Sequence, residues 1–109
     1  MNYQKVYNSI INNAKLKNRK KLKKDNPEYV YYENHHILPK CLSGNDDKEN
    51  LVLLTAREHY ICHKLLIYIY PKNRGIVLAF FRMPFDKMGN RNISSRDYAY
   101  AREVISLIP

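Results

Sequence analysis

Residues 28 to 71 read as two short β-prone stretches, a polar loop between them and a capped helix directly after them, and all four histidines of the chain lie there. From Glu28 to Leu38, aromatic and β-branched side chains accumulate (YVYY, then HHIL), which predicts a strand. PKCLSGNDDKEN, residues 39 to 50, has turn chemistry at Ser43, Gly44 and Asn45, and the LVLL after it reads as a short buried strand. Thr55-x-x-Glu58 is a capping box that opens a helix ending at Pro71. A hairpin of residues 29–38 and 51–54, followed at once by a helix, has to lay one face on that helix.

The flanks read as helical. Tyr3, Val6, Tyr7, Ile10, Ile11 and Ala14 recur at helical spacing. The amphipathic helix they predict runs into KLKNRKKLKK, residues 15 to 24, where seven of ten residues are basic, and Asp25, Asn26 and Pro27 stop it. After Pro71, NRGIVLAFFRM predicts a short, mostly buried helix, and Ser94-x-x-Asp97 caps a last one reaching about Leu107. The expectation is a single α+β domain over 1–109, with a basic N-terminal helix (1–27), a central unit (28–70) and C-terminal helices (71–109).

A chain of 109 residues buries roughly two thirds of its unfolded surface, enough for one core. Its net charge of +9 favours a polyanionic partner. The start, MNYQKVYNSI, lacks the layout of a secretory signal, and the apolar run around LLIYIY is too short to span a bilayer. Cys41 and Cys62 show no C-x-x-C pairing and read as reduced thiols of a cytoplasmic protein.

The histidines carry the chemistry. His59 and His63, at i and i+4 on a helix, project from one face and can hold a metal ion between them. An isolated H-x-x-x-H more often does ordinary packing or surface work. His35 alters that balance, because the hairpin brings it near the helix face, where three imidazoles complete a metal site with positions left open for water and substrate. Strand alternation sends His35 and His36 to opposite faces, so both face one cleft only if the strand ends or bends there, as Pro39 suggests.

In order, E-x-H-H-I-x-P, then G, N-D-D-x-x-N-L-V-x-L-T and R-E-H-x-x-x-H resemble the HNH endonuclease family, in the style of the short enzymes encoded by bacteriophages, homing types included. The resemblance covers about residues 32 to 66 and implies a ββα-metal core flanked by helices. It implies one divalent metal (Zn, Ni, Mn or Mg) on His35, His59 and His63, with His36 as the general base that takes a proton from the attacking water. Asn50 matches the residue that ties the loop to the strand and so fixes the base, and Glu33 matches an acidic residue that orients the histidines. Ser43-Gly44 departs from the Gly-Gly common in the family, a change of loop geometry more than of chemistry. No separate DNA-reading module is expected after Pro109, in contrast to the longer homing enzymes of the family.

The implied reaction is hydrolysis of a DNA phosphodiester, in the host-cell cytoplasm if the protein is phage-encoded. Lys17, Arg19, Lys20, Lys21, Lys23 and Lys24 are expected along the DNA backbone, with Lys40 and Arg57 as further phosphate contacts; plain solvated surface is the alternative for each. Ser94, Ser95 and Arg96 open a helix whose N-terminus suits a phosphate, although capping alone explains the serines. Tyr29, Tyr31 and Tyr32 are expected to pack the strand rather than stack on bases, and Cys62 to sit in the core. One active site per chain implies a nick, with a dimer required for a double-strand break. Two other classes compete: a non-catalytic DNA-binding protein with a structural three-histidine site, and an RNA-directed nuclease. A closed structural site has no use for a free histidine beside its ligand, which favours the enzyme.

Overall fold

The computed structural model of the protein describes residues 1–82. The elements are α1 (Tyr3–Leu16), β1 (Glu33–His36), β2 (Leu51–Leu54), α2 (Ala56–Ile69) and α3 (Arg74–Arg82), with 3-10 turns at Lys40–Leu42 and Lys48–Asn50 between the strands. This is a small α+β arrangement of two antiparallel strands and three helices. The helix expected from Ser94 to about Leu107 lies outside the described residues. Among those described, no helix is long and apolar enough to cross a membrane.

Three helices and a hairpin enclose one core. On α1, Tyr7, Ile11 and Ala14 form the buried stripe that i, i+4 and i+7 spacing places on one face. It packs on α2, where Cys62, Leu65, Leu66 and Ile67 are buried, and on β2, which contributes Val52 and Leu54. Ile76, Val77 and Phe80 of α3 close the other side of α2. Each large apolar side chain buried here stabilises the fold by about 1.5–3 kcal/mol before the entropy of ordering it is counted. Tyr3 stacks on Tyr68 with ring centroids 4.8 Å apart, which fixes the start of α1 against the end of α2.

The first helix is shorter than its charge pattern suggests. Asn2 caps it by accepting from the Lys5 amide at 3.0 Å, but it ends at Leu16 rather than near residue 27. Asn18 turns the chain at φ 45°, the left-handed conformation in which helices commonly terminate. Beyond Ala14 no apolar stripe continues, so a longer helix has nothing to bury, and residues 17–32 instead cross the molecule outside regular secondary structure. The first strand is also shorter than expected, four residues where 28–38 were predicted. Its partner is only LVLL, paired antiparallel as Glu33↔Leu54, Asn34↔Leu53, His35↔Val52 and His36↔Leu51. One further bond, Ile37 amide to Asn50 carbonyl at 2.8 Å, extends the ladder before Pro39.

The loop closing this hairpin is tightly determined. The Asn50 side chain accepts from the Leu38 amide at 2.8 Å and donates to the carbonyls of Leu38 (3.0 Å) and Asn45 (2.8 Å), tying both ends of the loop together. Ser43 sits at φ 71°, and a Cβ on Gly44 would lie 1.7 Å from the Leu38 carbonyl oxygen, so only glycine fits there. The capping box of α2 is complete: Thr55 Oγ1 accepts from the Glu58 amide at 3.1 Å and Glu58 Oε1 from the Thr55 amide at 2.9 Å.

Candidate metal centre

Strand alternation on β1 turns Glu33 and His35 inward towards α2, leaving 8% and 1% of each exposed, while Asn34 between them faces solvent. On α2, His59 and His63 project from one face with their Nε2 atoms 3.1 Å apart. The His35 ring lies 5.1 Å from each of those rings, edge-on to both. The three imidazoles offer ligand atoms within 4.8 Å of one another, the one group of this kind among the described residues.

The hydrogen bonds assign the ring protons. Tyr7 donates its hydroxyl to the Ile37 carbonyl at 2.7 Å, so its oxygen must accept from His35 Nε2–H, also at 2.7 Å. His35 Nδ1 is left as a lone pair, buried and with no hydrogen-bond partner. Glu33 Oε1 lies 2.7 Å from His59 Nδ1; the carboxylate accepts, which leaves His59 Nε2 as the lone pair facing the cluster. Tyr31 in turn donates to Glu33 Oε2. Burial first, then the neighbouring His63, His59 and His36, holds the His35 pKa down to about 2, so this ring is neutral at any physiological pH.

These residues fit a metal ion. An orphaned buried nitrogen costs stability unless something binds it. Two nitrogens 2.0–2.1 Å from a tetrahedral zinc lie roughly 3.3 Å apart, near the observed His59–His63 separation. An all-imidazole donor set suits zinc, nickel or related ions better than magnesium, which prefers oxygen ligands.

His36 follows His35 at the end of β1, and despite the alternation both line a cavity of about 340 Å³ with His59, His63, Lys40 and Cys41. Its Nε2 lies 2.8 Å from Asp46 Oδ1, while Asp46 Oδ2 pairs with Lys40 Nζ at 3.0 Å. The hydrogen bond to His36, and then the one to Lys40, holds the Asp46 carboxyl below its ordinary range. Asn50 lies in the loop behind this group and touches none of the imidazoles by a hydrogen bond.

Arg19 departs from the expectation of a DNA contact. Its guanidinium grips Glu58 with both amino groups (2.6 and 3.2 Å), donates to the Leu53 carbonyl at 3.1 Å and lies over the Tyr32 ring at 5.0 Å. Only 8% of its side chain is exposed, so the guanidinium is already committed inside the fold. Lys17, Lys20, Lys21, Lys23, Lys24 and Arg57 are exposed, and Lys40 is held by Asp46 at the rim of the cavity.

Tyr7, Asp46 and Tyr31 are site residues that spacing and motif did not single out. Tyr7 offered one signal, a hydroxyl inside an otherwise apolar stripe that needs a buried partner. Asp46 looked like one more polar loop residue.

No family model matches the chain, and no solved structure does. Among curated proteins it is 46% identical over 112 residues to "Probable mobile endonuclease D" of Enterobacteria phage T4, covering 99% of this chain and 42% of that one. It is 43% identical over 109 residues to "Probable mobile endonuclease E" of the same phage, covering 97% of this chain and 71% of that one. For "Probable mobile endonuclease B" the values are 38% over 111 residues, 97% and 38%. The chain therefore spans under half the length of the relatives D and B, and most of E. Alignment along nearly its whole length, at these identities, means that the chain belongs to the family of the phage T4 probable mobile endonucleases.

Proposed function

We propose that the chain is a metal-dependent DNA endonuclease domain of the HNH type, a ββα-metal unit that hydrolyses phosphodiester bonds. One observation carries this reading: three imidazoles converge while a fourth, His36, lines the same cavity. The names of the relatives support it, since each is called a probable endonuclease. His35, His59 and His63 would hold the ion, which when bound supplies charge stabilisation at the phosphate and at the leaving oxygen.

The chain's own residues do the rest. His36 donates Nε2–H to Asp46, which leaves Nδ1 to accept the proton of the water that attacks phosphorus. As the new P–O bond forms, the bond to the 3′ oxygen breaks, and that oxygen takes a proton from solvent, giving a 5′-phosphate and a 3′-hydroxyl. Glu33 and Tyr7 hold two of the metal-binding rings in the tautomers that face the cluster, and Asn50 keeps the loop from moving away from His36. Exposed lysines 17, 20, 21, 23 and 24 would neutralise backbone phosphates, with Lys40 at the rim of the cavity and the exposed Arg57 as further contacts, while Arg19 is engaged by Glu58 instead. With one such site among the described residues, a monomer would nick one strand and a dimer would be needed to cut both. The place of action would be the host cytoplasm, where phage DNA is found.

The test is plasmid nicking by metal-stripped protein after separate addition of Mg, Mn, Ni and Zn, with His36→Ala alongside. Metal-dependent nicking by the wild type is expected, and a drop of at least about 100-fold in the variant, whose metal content should not change. Tight metal binding without nicking on any DNA substrate would favour a structural site in a DNA-binding protein, and cleavage of single-stranded RNA alone would redirect the substrate.

A further inference from the structure

A second cleft, of about 550 Å³, lies between the basic segment and the residues that lead into β1. Its lining includes Lys21, Lys23 and Lys24 together with Tyr29, Tyr31 and Tyr32. It meets the histidine cavity, for both are lined by Asn34 and His59. With those two residues in common, a strand whose scissile phosphate sits among the histidines would run on towards this cleft.

The three tyrosines are not equivalent. Tyr32 carries the Arg19 guanidinium on its ring, and Tyr31 spends its hydroxyl on Glu33. Tyr29 is half-buried, and its ring makes no aromatic or cation contact among the described residues. The three lysines make no ion pair among those residues either. Cations beside an open aromatic face are the combination that binds single strands, because an unpaired base exposes its π-face and a duplex does not.

We propose that this cleft holds an unpaired stretch of the DNA strand flanking the scissile phosphate, with Lys21, Lys23 and Lys24 on its phosphates and Tyr29 stacked on a base. The proposal rests on the nuclease reading for its choice of ligand.

Fluorescence anisotropy on the full chain in EDTA tests it without turnover, using labelled oligothymidylate and a duplex of equal length as probes. Tyr29→Ala should raise the Kd for the oligothymidylate on the order of tenfold and that for the duplex less than about twofold, while Tyr29→Phe stays near the wild type. The triple variant K21Q/K23Q/K24Q should lower the slope of log K against log salt for the oligothymidylate by about 2. Should Tyr29→Ala unfold by circular dichroism, Tyr29→Leu, which keeps an apolar side chain there and removes the ring, takes its place with the same expected outcome. Equal loss on both probes, unchanged single-strand affinity in Tyr29→Ala, or a wild-type salt slope in the triple variant would overturn the cleft. Because binding is read apart from cleavage, a protein that nicks plasmid yet shows none of these effects keeps its nuclease and loses this site. One that shows them and never nicks keeps the site and loses the nuclease.

Discussion

Tyr7 stands 28 positions before His35, yet its oxygen decides which nitrogen of that ring faces the cluster. Removing only the hydroxyl, as Tyr7→Phe, keeps the ring in the core and frees His35 to adopt the other tautomer or rotate. Affinity for the metal should fall about 10- to 100-fold, the usual consequence of losing an outer partner of a histidine ligand. Isothermal titration with zinc measures it; an unchanged Kd would mean that the hydroxyl serves only its own solvation. At this scale, the sequence was most legible where one residue type carries the chemistry. The convergence of His35, His59 and His63 could be read from spacing and from the resemblance. Tyr7 and Asp46 could not, because a partner chosen by tertiary contact leaves no periodic trace.

Among the elements, α2 was readable from its capping box, and β2 from an unbroken apolar run with turn chemistry before it. The end of α1 was not, since lysines favour a helix in isolation and nothing local reveals that the buried stripe stops at Ala14. What replaces the longer helix is the clamp of Arg19 on Glu58, which anchors an otherwise irregular segment to the first turn of the helix that carries His59 and His63. Arg19→Ala leaves Glu58 half-buried without its counter-ion and should cost about 2–3 kcal/mol, below the range for a fully buried pair because Glu58 keeps 28% of its side chain exposed. Urea unfolding would show it, and a loss within about 0.5 kcal/mol would mark the pair as an ordinary surface contact.

For the whole molecule, the buried histidine makes folding sensitive to acid. Folded, His35 stays neutral down to about pH 2; unfolded, it takes a proton below its ordinary value of 6.5. Between those limits the unfolded chain binds the extra proton, so stability present above pH 6.5 is lost as the pH falls, by about 1.4 kcal/mol per unit for this group. In EDTA, the unfolding free energy should drop by about 2 kcal/mol from pH 7 to pH 5. An unmoved urea midpoint would show that the ring protonates as readily inside the fold as outside it.

The contact between α1 and the histidine cluster also bears on where the portable unit of such a protein begins. The recognisable motif starts at Glu33, but one wall of the centre is a hydroxyl contributed near the N-terminus. A graft that moved only the hairpin and its helix into another chain would transplant all three clustered histidines and leave behind the group that aims one of them. Recombination that respects function must cut ahead of the first helix rather than at the edge of the motif.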